Sequence, residues 1–181
     1  MPAYPTTRLR RNRQYSWLRR VVCETTLSPS DLIWPVFVHD HEASQSVASM
    51  PGVERLPIDG VVQAADEARQ LGIPALALFP VVEPRHKSED AHHAYDPENL
   101  VCRTVRAVRD QCGDAVGLIC DVALDPYTSH GHDGIINKKQ VLNDETIKIL
   151  SKQAILQAEM GCDVIAPSDM MDGRVGRIRK S

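Results

Sequence analysis

Four continuous apolar runs, each trailed by a segment of helical periodicity, limit what this chain can fold into more than any other feature of its sequence. The runs cover residues 32–38, 75–82, 115–121 and 163–167. A strand that is apolar at nearly every position, rather than at alternate ones, is covered on both faces, as strands of a parallel sheet are. The segments between them place Val61, Val62, Ala65, Ala68 and Leu71, then Leu100, Val101, Val105 and Val108, then Ile147, Leu150, Ala154, Ile155 and Ala158 at helical spacing. Asp59 is placed to cap a helix over 60–71 that Gly72 closes, and Gly113 stops a second over 99–112 with Arg103, Arg106 and Arg109 on its solvated side. Asn143, Asp144 and Glu145 open a third over 144–160, closed by Gly161, and a fourth starts at Val175. Strands alternating with helices in series describe an α/β architecture.

Some stretches resist this pattern. Pro35 is awkward inside a central strand, so the first run either bulges there or begins after it. Residues 39–57 have no clear period and contain the turn signal Pro51-Gly52. Residues 83–98 form a long polar loop, a length that is usually functional or mobile. His92 and His93 in it are potential ligands, although adjacent side chains diverge on any regular element.

The function classes this composition excludes narrow the field. A net charge of -3 offers no basic field for nucleic acid. No apolar run approaches the roughly 18 residues that span a bilayer, and the Arg-containing N-terminus lacks the apolar core of a secretory signal. No GxGxxG or Walker string follows any of the strands, which argues against nucleotide binding. The five cysteines, Cys23, Cys102, Cys112, Cys120 and Cys162, are odd in number and include no CxxC pair. They fit reduced thiols in the cytoplasm, with Cys120 and Cys162 as core residues, rather than a disulfide frame or a zinc ribbon.

Chemistry concentrates where the third strand ends, in Asp121-Val122-Ala123-Leu124-Asp125-Pro126-Tyr127-Thr128-Ser129-His130-Gly131-His132-Asp133-Gly134. Asp, Ser, His and Gly are ordinary residues of a surface loop. Titratable groups packed just beyond a strand's C-terminal end are also what an α/β active site presents. The fourth strand ends in a comparable loop, Ser168-Asp169-Met170-Met171-Asp172-Gly173, in which Asp172 is placed to cap the next helix and Ser168 is a second capping candidate.

These strings resemble the porphobilinogen synthase (δ-aminolevulinic acid dehydratase) family, and the resemblance extends to Met50–Val53, to the basic N-terminal stretch Arg8-Leu9-Arg10-Arg11-Asn12-Arg13 and to essentially the whole chain. Where the zinc-using branch carries three cysteines, this chain has Ala123, Asp125 and Asp133, so it resembles the branch lacking them. The resemblance implies a TIM barrel of the (βα)8 kind that condenses two molecules of 5-aminolevulinate to porphobilinogen, with loss of water, in tetrapyrrole synthesis. It implies that Asp121, Asp125, Asp133 and Ser168 are catalytic and bind substrate, with Asp169 a weaker substrate contact. It also implies activation by Mg²⁺ through carboxylates in the other half of the family's domain. Without thiolates zinc is not expected; Asp125, Asp133 and His132 are the weak metal candidates.

A complete barrel needs eight units and about 250 residues. Four units here imply an arm over residues 1–30 and, over 31–181, the N-terminal half of a barrel. The family's Schiff-base lysines have no counterpart among Lys87, Lys138, Lys139, Lys148, Lys152 and Lys180, none of which ends an apolar strand, so this chain alone is expected to be inactive. The basic segment reads as a disordered tail, a transit peptide or a subunit-docking arm; the resemblance favours the arm, with Arg8, Arg10, Arg11, Arg13 and Trp17 as subunit contacts and a homo-octamer as the complete assembly. A half barrel with uncovered strands is expected to associate. The alternative function is a truncated, non-catalytic subunit that docks on full-length partners through the arm.

Overall fold

The computed structural model describes residues 3–181; residues 1 and 2, the start of the expected arm, lie outside the described residues. A six-stranded sheet organises the rest. Its strands are β1 (Ile33–Val38), β2 (Gln45–Ser46), β3 (Glu54–Leu56), β4 (Ala75–Pro80), β5 (Gly117–Val122) and β8 (Val164–Pro167), in the order β2-β3-β1-β4-β5-β8. All neighbours run parallel except β2 against β3. A separate hairpin pairs β6 (Ile136–Asn137) with β7 (Gln140–Val141).

The helices α2 (Ile58–Leu71), α3 (Leu100–Cys112) and α4 (Asn143–Glu159) follow β3, β4 and the β6–β7 hairpin, and α5 (Arg174–Ile178) follows β8. Alternation along the strands separates two faces. Val36, Val38, Leu76, Leu78, Leu118 and Cys120 are buried against Val61, Ala65 and Ala68 of α2 and Val101, Val105 and Val108 of α3. Val122, Leu124 and Tyr127 pack with Ile147, Leu150 and Ala154 of α4. The opposite face is open: Ile33 is 54% and Val164 49% exposed, and Phe37, Phe79 and Ile119 are half-buried. The expected burial on both faces is therefore met on one. The sheet is a barrel wall, helices outside and the inward face uncovered, with β2 and β8 as its edges.

Several local expectations change. The first strand neither bulges at Pro35 nor begins after it: β1 pairs with β4 without interruption from Ile33↔Ala75 to Val38↔Pro80. On its other side β1 is paired only at Phe37 and Val38, so a proline at position 35 sits where β1 is still an edge. Residues 39–57 contain a hairpin, β2–β3, turned through Pro51 and Gly52 with Gly52 at φ 82°; strands of two and three residues are too short to show a period. Asp59 lies in the first turn of α2 but does not cap it; the helix starts after Pro57, which ends the extended segment. Asn99 does cap α3, accepting from the Cys102 amide at 2.9 Å. Arg109 is not solvated. Only 15% of its side chain is exposed, and it donates to the carbonyls of Gly161 and Gly113, each at 2.8 Å, and to Asp163.

On α4 the inward face is rotated from the expected one. Ile155 is 40% exposed and Ala158 is exposed, whereas Gln153, Leu156 and Gln157 are buried. The helix α5 is preceded by Gly173, not by a capping Asp172, whose amide is held by the Asn143 side chain at 2.8 Å. Residues 83–98 are ordered rather than free, with Ala91 and Ala94 fully buried in the second core cluster. Before the sheet, a 3₁₀ turn over Leu9–Arg13 and the short helix α1 (Ser16–Val21) bury no residue. Among the described residues Arg8, Arg10, Arg11 and Arg13 pair with no acid. Trp17, 56% exposed, stacks on Tyr15 with ring centroids 6.3 Å apart.

Candidate active site at the carboxyl end of the sheet

One row of residues crosses the open face near the C-terminal ends of the strands. Phe37 of β1 is paired with Arg55 of β3 on one side and Phe79 of β4 on the other. Leu78 is paired with Cys120, which sets Phe79 level with Asp121 of β5, and Asp121 is paired with Ala166 of β8. Asp121 lies between Cys120 and Val122, both buried toward the helices, so its carboxylate points to the open face. Phe37, Arg55, Phe79, Lys87, Asp121 and Asp125 line a cavity of about 350 Å³ there.

The backbone carrying the acids is fixed from α4. Gln157 donates its side-chain amide to the Asp121 carbonyl at 3.0 Å and Gln153 to the Ala123 carbonyl at 3.3 Å. Each buried amide nitrogen thus finds its partner in a carbonyl of the strand end, while the side-chain oxygens of Gln153 and Gln157 meet no partner among the described residues. The loop then returns onto α4 at Gly134. An added Cβ there would lie 2.6 Å from Val141 Cγ1, 3.0 Å from Met171 Cε and 3.3 Å from Thr146 Oγ1, so any larger residue must push these side chains aside. The next amide, of Ile135, donates to Thr146 Oγ1 at 2.9 Å. The loop over residues 83–98 is stitched to the same segment: the Ser88 amide donates to the Tyr127 carbonyl and the Ser129 amide to the Ser88 carbonyl, each at 3.0 Å. That bridge brings the neighbouring Lys87 into the cavity beside Asp125.

Electrostatics tie the acids together. Burial pushes the Asp121 carboxyl above the ordinary carboxylate range; the Ser168 hydroxyl, which donates to it, acts against this, and Asp125, Asp133 and Asp169 push it further up. Burial likewise raises Asp125, Asp133 adds to the rise, and the Lys87 ammonium pulls it back. Carboxylates that repel one another at a half-dry site attract a cation with hydrogen-bond donors, which an ammonium supplies. Ser168 thus orients Asp121 and caps no helix. Asp169 is committed elsewhere: its side chain is closed from solvent, accepts from the Met171 amide at 2.7 Å, and lies 3.3 Å from Arg174 Nε without the alignment of a hydrogen bond.

The histidines serve the loops. His130 Nδ1 accepts from the His132 amide at 3.2 Å, and His132 Nδ1 accepts from the Gly134 amide at 2.9 Å. His92 turns to Asp90, whose pKa is lowered to about 2 by hydrogen bonds from Ser88 and His92, while His93 stacks on His86. Among the described residues no three side chains of His, Cys, Asp or Glu gather as metal ligands.

Sequence reasoning missed Arg55, Lys87, Phe37 and Phe79 as cavity residues and Gln153 and Gln157 as supports. The glutamines carried a signal, two amides spaced i,i+4 within a helix, on one face with the apolar Leu150 and Ala154. Arg55 carried none, because its three-residue strand was not recognisable.

Comparison with known proteins agrees with this geometry. A family model described as Delta-aminolevulinic acid dehydratase matches residues 6–181. The Delta-aminolevulinic acid dehydratase of Bradyrhizobium diazoefficiens is 53% identical over 174 residues, 96% of this chain and 49% of that protein. The chloroplastic Delta-aminolevulinic acid dehydratase of Physcomitrium patens is 46% identical over 183 residues, 100% of this chain and 41% of that one. The crystal structure of the Toxoplasma gondii ME49 enzyme (porphobilinogen synthase), in complex with its reaction product porphobilinogen, is similar with a TM-score of 0.91 and 45% identity over 96% of this chain and 50% of that one. The chain spans about half the length of the curated relatives it matches. An open wall of parallel strands, a TIM-barrel-type neighbour and a family match over nearly every residue lead to one assignment: this chain belongs to the delta-aminolevulinic acid dehydratase family.

Proposed function

We propose that this chain supplies the acidic wall of a porphobilinogen synthase active site, in which two 5-aminolevulinate molecules condense to porphobilinogen with loss of water. The observation that carries the reading is the pair Asp121 and Asp125 in one cavity, with Ser168 donating to Asp121. Asp121, Asp125 and Asp133 hold the ammonium of one substrate, and the carboxylate of Asp121 or Asp125, made more basic by burial, takes a proton from it when the amine must attack. The imines that activate the ketones need lysines made nucleophilic by an apolar setting. Lys87 faces a carboxylate instead, and the other five lysines lie away from the cavity, so those nucleophiles come from outside these residues, as do the carboxylates for an activating magnesium ion. Free thiols suit a reducing compartment such as the cytoplasm.

The exposed basic arm, with Trp17 and Tyr15 stacked beside it, favours a second role as a surface that docks on another subunit of the octamer expected for the complete enzyme. The test combines this chain with a polypeptide carrying the remaining half of the Bradyrhizobium diazoefficiens relative. Porphobilinogen is expected from the mixture, none from this chain alone, and none when Asp121→Asn is used. Turnover by this chain alone would overturn the assignment of the nucleophiles. Turnover by the mixture that survives Asp121→Asn would overturn the acidic wall. Altered activity or size of a full-length enzyme on adding this chain would favour the docking role.

A further inference from the structure

The cavity that holds Asp121 and Asp125 also holds a cation of its own. We propose that Lys87 is the resident counter-ion of the empty site: its ammonium stands beside Asp125 where a ligand ammonium would bind, and it is displaced when the ligand enters. This deepens the function proposed above and rests on it. Lys87 lines the cavity together with Asp121 and Asp125 and is half-buried. Its backbone is held in place. The Lys87 amide donates to the Pro84 carbonyl at 3.2 Å, and Ser88 next to it is bonded to Tyr127 and Ser129. Glu83 of the same loop is taken by Arg85 at 2.7 Å, and Asp90 by Ser88 and His92.

Among the described residues Lys87 forms no ion pair with an acid. Its charge is nevertheless felt at Asp125, which it draws toward the ionised form. A counter-ion that is near but not locked in contact can be displaced. The exchange replaces one ammonium by another, so the carboxylates face a cation in both states and no proton has to accompany the ligand. The flexible lysine stem lets the head group swing to water while the backbone stays. Lys87 is therefore a positioning residue that acts through Asp125. Its presence costs affinity, because the ligand competes with a tethered rival.

The test measures binding of 5-aminolevulinate to the 181-residue chain at pH 7 by calorimetry. Lys87→Met is expected to bind about tenfold more tightly than the unaltered chain, and Lys87→Arg about equally. A lysine that only supported the fold would give the opposite sign. Lys87→Gln serves if the methionine variant misfolds. A second readout needs no ligand: the Asp125 carboxyl carbon, titrated by NMR, should ionise at higher pH in Lys87→Met. The other charged groups facing Asp125 are Asp133 of its own loop, Asp121 of β5 and Arg55 of β3, and all three are retained in the variant. Equal or weaker binding by Lys87→Met, or an unchanged Asp125 titration, would overturn the role of Lys87 and leave the acidic wall standing. Binding by neither the unaltered chain nor Lys87→Met would sink the acidic wall and this inference with it.

Discussion

Replacing Gly134 by alanine tests the packing that holds the acidic loop against Val141 of β7, Met171 and Thr146 of α4. The backbone itself accepts the change, because Gly134 is not among the residues at positive φ. The cost is steric. The new Cβ would meet Val141 Cγ1 at 2.6 Å, more than 1 Å inside an ordinary carbon contact of about 3.8 Å. Val141 is 40% exposed and can give way, whereas Met171, 2% exposed, and Thr146, fully buried and bonded to both the Ile135 amide and the Leu142 carbonyl, cannot. One neighbour yielding of three places the loss near the middle of the usual overpacking range, about 2 kcal/mol. For a chain of this size that lowers Tm by about 4–8 °C. Calorimetry reads the loss, and Gly131→Ala is the control: Gly131 sits at φ 72° with no atom near its hypothetical Cβ, so it loses only about 1 kcal/mol of backbone strain. Val141→Ala in the Gly134→Ala background should recover at least half of the loss, since it removes the nearest obstruction. A Gly134→Ala protein that melts with the unaltered chain, or a Val141→Ala change that only adds to the loss, would refute close packing of the loop at Gly134.

Other expectations follow from the same coordinates. Burial raises Asp121 and Asp125 above their unfolded value of 3.8, so above that pH the folded chain holds more protons than the unfolded one and stability falls as pH rises through the raised values. Asp121→Asn removes that penalty: at pH 7 its Tm should exceed that of the unaltered chain, while 5-aminolevulinate binds about 10–100-fold more weakly; a lower Tm would contradict burial as the main cause. Arg109→Met leaves the Gly113 and Gly161 carbonyls and Asp163 without their shared donor. With Asp163 itself half exposed, the expected loss is about 2–3 kcal/mol, read as a shift in the denaturant midpoint. The open face, with Ile33 and Val164 each about half exposed, should make the isolated chain self-associate in gel filtration; a monodisperse monomer with a cooperative melt would count against it.

The sequence told most where a residue's neighbours along the chain decide its place. Apolar runs located β1, β4, β5 and β8 within a residue or two, except where strand ends were trimmed, because strand formation there follows local pattern. Asp121 was legible for the same reason: a charge at the end of a buried run must leave the core. What depended on distant partners was not legible. Arg109 looked like a solvent residue on a helix face, and only the turn at Gly161, fifty-two positions on, shows why it is buried. Ile155 and Leu156 differ by one position, and which of them faced inward was set by the strand-end carbonyls that Gln153 and Gln157 had to reach. Asp169 shared its spacing with Ser168 but turned inward to its own loop, a choice made by the Met171 amide and Arg174.

The raised carboxyls also bear on why this wall faces an open side. In the isolated chain water still reaches Asp125, and a single lysine, Lys87, offsets part of its neighbours' repulsion. Any structure laid over the inward face removes that water, and desolvation then disfavours each charged form more strongly. The carboxylates must then either take up protons or find a cation. A ligand ammonium would satisfy them, and its own proton would be transferable because the same burial makes the acceptor more basic. Acids that cost stability in the empty wall are thus what would make a covered one selective for an amine. The cost falls on Asp121 first, the carboxyl most deeply set in the sheet and the one that Ser168 holds in place.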